Sequence, residues 1–256
     1  LGILTGLLLF IGSFFGQGGL LMAFILAIAM NLVSYFFSDR IVLAMYRAKE
    51  AQKAHYKELH EIVEKVSKEA GIPKPKIYII PSNTSNAFAT GRNPKNAVVA
   101  VTQGIMNLLS KHELEGVLAH EIAHVKNRDI LISTIAVTIA SIISYVTYFA
   151  MFIPIGDRND RGSNVIQMLL LAIIAPITAT IIQLAISRSR EFLADESGAK
   201  FIKTGKPLAS ALRKLESESK HNPLRFGNPS TASLFIVNPF SGRSFIKLLS
   251  THPPME

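Results

Sequence analysis

His120-Glu121-Ile122-Ala123-His124 is an HExxH sequence, and it sits in a stretch patterned as a helix. Side chains four positions apart share one helix face, so the two imidazoles converge on a point. Two neutral imidazoles at that spacing suit Zn²⁺, and the glutamate between them can act as general base on a water held there. His and Glu are also ordinary helix residues. Taken alone, the pentapeptide reads equally well as a solvated helix face, so the surroundings decide. Upstream, Ser110-Lys111-His112-Glu113 has the form of a capping box and starts the helix. The same helix is expected to reach Asp129 and run on into the apolar stretch that follows.

A catalytic zinc takes three protein ligands and leaves a position open for water. HExxH supplies two. Arg190-Glu191-Phe192-Leu193-Ala194-Asp195-Glu196 offers the third. Glu191 and Asp195 are four apart and share a helix face. A glutamate there can bind the metal, and an aspartate one turn on can accept the outer N–H of a ligand histidine. The plainer reading makes Glu191, Asp195 and Glu196 a solvated acidic face beside Arg188 and Arg190. Next to an HExxH sequence the ligand reading is the stronger.

Only 18% of the 256 residues are charged, below the roughly 25% usual for soluble domains. The shortfall is local. Leu1 to Phe15, Leu20 to Phe37, Ile130 to Ile155 and Val165 to Ile186 contain no charged residue. The last three are about long enough to cross a bilayer as helices. The first is shorter and begins without Met, so missing N-terminal residues are expected there, and the end at Glu256 reads as cut short too. A signal peptide is the rival for the first stretch, but it lacks a basic start. The net charge is +9. Its carriers flank the apolar stretches: Arg40, Arg47, Lys49 and Lys53 after the second, and Arg188, Arg190 and Lys200 after the fourth. That is a positive-inside pattern with attraction to anionic lipid, not a nucleic-acid surface. The turns at Gly16 to Gly19 and Gly156 to Ser163 belong on the far side. Residues 38–129 and 187–256 then share the cytoplasmic face, with residues 1–37 and 130–186 as helical membrane pairs. The absence of Cys fits a reducing compartment.

Within the polar regions, Leu59, Ile62, Val63 and Val66 recur at helical spacing, and Gly71 stops the run. Lys76 to Ile80 reads as a strand. Asn86 to Thr90 and Ala97 to Thr102 read as a hairpin around Gly91-Arg92-Asn93-Pro94-Lys95, and Pro207 to Lys220 as a helix. His55, His60, His112 and His221 sit among charged residues and read as surface.

The HExxH helix, the Glu191-to-Asp195 segment after a helical hairpin, four spans and Asn86-Ala87-Phe88-Ala89-Thr90-Gly91 together resemble the HtpX family of bacterial and archaeal membrane zinc metalloproteases, which are gluzincins. The resemblance covers essentially the whole chain. It implies one Zn²⁺ on His120, His124 and Glu191, with Glu121 as base. It implies that Asn86, Ala87, Phe88 and Ala89 form an edge strand along which a substrate peptide lies. It also implies that His252, in a Thr-His-Pro segment, reaches the active site. A loop histidine near a frayed end is the other reading of His252. The family's role implies misfolded or damaged membrane proteins as substrates. CAAX prenyl proteases share the zinc motifs but carry more spans.

The expected fold is therefore a multi-pass protein of the cell membrane, mainly α. Four transmembrane helices carry a cytoplasmic α+β gluzincin-like domain with a small β-sheet. The expected activity is zinc-assisted peptide hydrolysis. A membrane scaffold or adaptor that keeps the motif without the activity, or a CAAX-type protease, are the alternatives. A channel or transporter is weaker, because no Asp, Glu, Lys, Arg or His lies within Ile130 to Ile155 or Val165 to Ile186.

Overall fold

The computed structural model describes residues 2–150 and 186–221. The chain divides into two compact units, Leu1–Tyr35 with Ile132–Ser187, and Phe36–Leu131 with Arg188–Glu256.

The first unit contains α1 (Gly2–Ser13) and most of α2 (Gly16–Met45). The reversal between them falls at Phe14-Phe15, earlier than expected. Phe14 and Phe15 donate their N–H groups back to Ile11 and Gly12, which closes α1. Gly16, at φ 75°, redirects the chain, and Gly16 to Gly19 begin α2 instead of forming the turn. Leu9, Leu20 and Ala23 pack together, and Phe24 stacks on Tyr145 with ring centroids 4.2 Å apart. Leu21, Met22, Ile25, Leu26, Leu32 and Val33 point outward. Large apolar side chains arrayed around a helix call for an apolar surrounding. Gly16–Phe37 is, among the described residues, the one helix long and apolar enough to cross a membrane. The expected third stretch is helical over Asp129–Ala150 (α6). Apart from Ile186, the expected fourth lies outside the described residues.

The second unit is built on a four-stranded sheet in the order β1-β2-β4-β3. The strands are β1 (Lys49–Glu50), β2 (Lys76–Ile80), β3 (Ala87–Thr90) and β4 (Val98–Thr102). β2 and β4 run parallel, with Ile77 opposite Val99, while β3 pairs antiparallel with β4, with Phe88 opposite Ala100. β4 is buried on both faces, which is why it reads Val-Val-Ala-Val-Thr without polar alternation. Val99 and Val101 enter the main core with Leu59, Ile62, Val63 and Val66 of α3 (Lys57–Ala70) and Val117, Leu118 and Ile122 of α5 (Lys111–Lys126). Ala100 faces the other way, with Ile80 and Phe88, against Val42, Leu43 and Tyr46 near the end of α2. β3 is left as an edge. A short helix, α4 (Gln103–Leu108), leads into α5.

The expected capping box is present. Ser110 accepts from the Glu113 N–H, and the Glu113 carboxylate accepts from the Ser110 N–H. The continuous helix expected from Ser110 into the third apolar stretch is not. α5 stops at Lys126, Arg128 takes φ 55°, and α6 starts afresh at Asp129. A left-handed residue other than Gly costs roughly 1–2 kcal/mol, and the return at this turn is a buried Asp129 aimed at the centre described below. His60 also departs from the surface reading. It is half-buried, and its Nε2 donates to the Ala51 carbonyl at 2.8 Å. Later in the chain come α7, helical over residues 186–202, and α8 (Lys206–His221).

Candidate metal centre

α5 is the most enclosed helix of its unit, buried from Glu113 to Ala123. Its buried face carries His120 and Glu121, with His124 one turn on. The Nε2 atoms of His120 and His124 lie 3.0 Å apart. α7 brings Glu191 to them, with Oε2 at 3.5 Å from His120 Nε2 and 3.7 Å from His124 Nε2. Four-coordinate zinc with ligand bonds near 2.0–2.1 Å places its ligand atoms about 3.3 Å from one another. The three edges bracket that value, so two imidazoles and a carboxylate fit a tetrahedral zinc with one corner open. Among the described residues this is the one group of three or more His, Asp or Glu side chains so placed.

Each histidine turns its other nitrogen to an aspartate. His120 Nδ1 lies 2.8 Å from Asp195 Oδ1. His124 Nδ1 lies 2.6 Å from Asp129 Oδ2. A carboxylate on the outer N–H fixes the tautomer and leaves Nε2 as the metal-facing lone pair. Asp195 was legible as a partner from its spacing to Glu191. Asp129 was missed, and so was Arg190, whose guanidinium donates to Asp129 Oδ1 and to the Asn127 carbonyl. Arg190 therefore binds the α5–α6 turn to the residue next to Glu191. The signal for both was an Arg beside a candidate ligand and an Asp five residues after a candidate His, which helical periodicity does not bring together.

Burial works against a charged ring at both histidines, and the carboxylates outweigh it. Asp195 and Glu191 push His120 up to about 9, and Asp129 and Glu191 push His124 up to about 10. A cation at the shared point competes with those protons, and negative surroundings of this kind favour it.

α7 approaches α5 closely because residue 198 is Gly. A Cβ there would stand 3.0 Å from the His120 N and 3.1 Å from the Ala119 carbonyl carbon. Glu121, also buried, accepts from the Ala89 N–H at 2.9 Å. Just before β3 the Asn86 carbonyl faces β4, where it accepts from the Thr102 N–H. By alternation the main-chain groups of Ala87 and Ala89 point outward from the sheet edge, and one of them meets Glu121. Asn86 precedes the strand and is buried, with its N–H on Thr102 Oγ1. His252 lies outside the described residues.

Residues 53–256 match the model of Peptidase family M48. The chain belongs to peptidase family M48. Similar M48 chains include Protease HtpX homolog of Pyrococcus furiosus, 53% identical over 100% of this chain and 90% of that one. The Pyrococcus abyssi protein of the same name is 54% identical over 100% and 90%. That of Syntrophobacter fumaroxidans is 51% identical over 100% and 93%. Identity at this level along the full chain puts this M48 peptidase in the HtpX family. Among solved structures, S. mikatae Ste24p is similar with a TM-score of 0.55 at 20% identity. The chain covers 58% of Ste24p with 89% of its own length, and that likeness concerns the fold. M48 peptidases are zinc-dependent, and this one is a membrane zinc metalloprotease, mostly helical with a small sheet.

Proposed function

We propose that the chain is a multi-pass membrane endopeptidase with four spans, that its active site faces the cytoplasm, and that it hydrolyses misfolded or damaged membrane proteins. The observation that carries the reading is the convergence of His120, His124 and Glu191 beside Glu121, with the outer edge of β3 one hydrogen bond away.

His120, His124 and Glu191 would hold the zinc, which when bound supplies a Lewis acid for a carbonyl and acidifies water. The chain's own groups do the rest. Asp195 and Asp129 keep the two ligand rings in one tautomer. Glu121, next to the ligands but turned to β3, takes the proton of the attacking water and returns it to the leaving amine. Asn86 to Ala89 receive the substrate as an added strand. The outward groups of Ala87 and the Ala89 carbonyl supply main-chain hydrogen bonds, so recognition depends on an extended backbone more than on particular side chains. An unfolded or damaged segment offers such a backbone and a folded one does not. His252 is placed in this scheme as a donor to the oxyanion.

Glu121→Gln in the purified full chain tests the chemistry. Zinc should stay at one per chain and cutting of an unfolded membrane substrate should almost vanish. Undiminished cutting would remove Glu121 from its role. Equal inactivity of the unaltered and altered chains, both loaded with zinc, would favour a scaffold.

A further inference from the structure

The end of α2 carries side chains that the metal centre does not use. The apolar stretch Gly16–Phe37 finishes in two exposed aromatics, Phe36 and Phe37. The Arg40 guanidinium stands 5.8 Å from the centre of the Phe37 ring. The Arg92 guanidinium stands 5.9 Å from that of Phe36. Arg92 comes from the turn that joins β3 to β4, so this turn lies against the end of the apolar stretch. The turn is well fixed. Pro94–Asn96 form one 3-10 turn, capped by the Asn93 side chain on the Asn96 N–H. Arg40, Arg92 and Lys95 are all exposed, and Asp39 precedes Arg40 in the sequence. Aromatic rings at the end of an apolar helix, with cations over them, match the level of a bilayer where acyl chains give way to phosphates.

We propose that Arg40, Arg92 and Lys95 form a docking surface for anionic phospholipid headgroups, and that this contact keeps the edge of β3 at the membrane surface. The inference rests on the reading of the chain as a membrane endopeptidase that takes its substrate along β3. Positive side chains near an anionic leaflet are drawn to it within a Debye length. Ala89, whose N–H meets Glu121, is three residues before Arg92. Three residues of extended chain reach at most about 10 Å. A peptide lying along β3 is then held within about 10 Å of the Arg92 main chain, roughly three residues of strand at 3.3 Å each, and one Arg side chain further from the headgroups. Segments just outside a substrate's own span meet the site, and distant loops meet it less often.

The test uses the full, zinc-loaded chain in vesicles of phosphatidylcholine, alone or mixed with phosphatidylglycerol. The chain has no Trp, so Asn96→Trp gives a single reporter in the turn. Brominated phosphatidylglycerol should quench it more than brominated phosphatidylcholine does. Arg40→Gln with Arg92→Gln and Lys95→Gln should remove the difference, and retaining the charge through Arg92→Lys and Lys95→Arg should keep it. Phosphatidylglycerol should also speed, several-fold, the cutting of a cleavable sequence placed beside a substrate span. The triple variant should lose that gain yet cut the same sequence as a free soluble peptide at the ordinary rate. Equal quenching by the two brominated lipids overturns the proposal. So does slower cutting of the soluble peptide by the triple variant in neutral vesicles, since the surface would then bind substrate and not lipid. If the unaltered chain cuts neither substrate while quenching still distinguishes the lipids, the endopeptidase reading fails and the docking surface stands.

Discussion

His120 and His124 each turn one ring nitrogen toward Glu191 and the other toward an aspartate. The two aspartates are not equivalent in their surroundings. Asp195 is half-exposed, whereas Asp129 is buried and itself held by Arg190. Asp129→Asn should therefore disturb the centre at least as much as Asp195→Asn. Both should lower zinc affinity by about 10–100-fold, as loss of a ligand's supporting carboxylate does. Competition with a metal-binding dye measures it. Equal and unaltered affinities would mean that the rings are fixed by packing alone. Arg190→Gln should fall between the native chain and Asp129→Asn, because Asn127 and Asp129 would lose a shared donor but His124 would keep its partner. His120 and His124 were legible as one pair, and Glu191 and Asp195 as another, because each pair is related by one turn of helix. Asp129 and Arg190 were not, because their role depends on a left-handed Arg128 that no periodicity announces.

At the scale of elements, the centre depends on α5 being pressed from two sides. α7 approaches over Gly198, and Gly198→Ala would force its Cβ within 3.0 Å of the His120 N. The helices must part by a few tenths of an ångström, and metal ligands tolerate about 0.2 Å. Zinc affinity should fall about tenfold, the low end of what a disturbed support costs, with no ligand changed. An unaltered affinity would show that α7 can slide without moving Glu191. On the other side, Glu113 joins the start of α5 to α8. Its carboxylate accepts from Ser110, from Ser210 Oγ at 2.7 Å and from Lys214 Nζ at 2.7 Å. The Lys214 hydrogen bond, with those of Ser110 and Ser210, outweighs burial and lowers the Glu113 pKa from 4.5 to about 2. The folded value is the lower one, so the charged form stabilises the fold above the unfolded value near 4.5. That contribution drains away as pH falls toward 2. Glu113→Gln should cost about 2 kcal/mol near neutrality. The gap between its urea midpoint and that of the native chain should narrow across this acid window. A gap independent of pH would assign the loss to shape and not to charge. The strands and α3 were visible in the sequence as local runs. The order β1-β2-β4-β3 was not, because the neighbour of β2 is set by which faces α2 and α5 must cover, a non-local choice.

At the scale of the whole molecule, the sequence places polar residues in two blocks separated by apolar stretches, and the second unit gathers residues from both blocks. Glu191 and the HExxH pair meet although 66 positions separate Glu191 from the nearer histidine, Val125 to Arg190 lying between. For that meeting to occur in a membrane protein, residues 38–129 and 187–256 must lie on the same side. An even number of crossings between them satisfies this, and on the proposed four-span reading the stretches Ile130 to Ile155 and Val165 to Ile186 would provide two. On the proposed reading, the basic residues around the polar blocks, Arg40, Arg47, Lys49 and Lys53, would set that side as the cytoplasm by the positive-inside bias. The chain has no Cys, so single cysteines report location without background. Asn83, exposed just before β3, and Ser163, in the polar segment between the two stretches, are the informative positions. Asn83→Cys should react with a membrane-impermeant maleimide only after the cells are opened, and Ser163→Cys should react in intact cells. Reaction of both in intact cells would put the metal centre outside the cytoplasm and remove cytoplasmic segments from its reach. Protection of both would place Ser163 on the same side as Asn83. The two apolar stretches would then not cross, and Glu191 would return to His124 by a loop that never leaves that face.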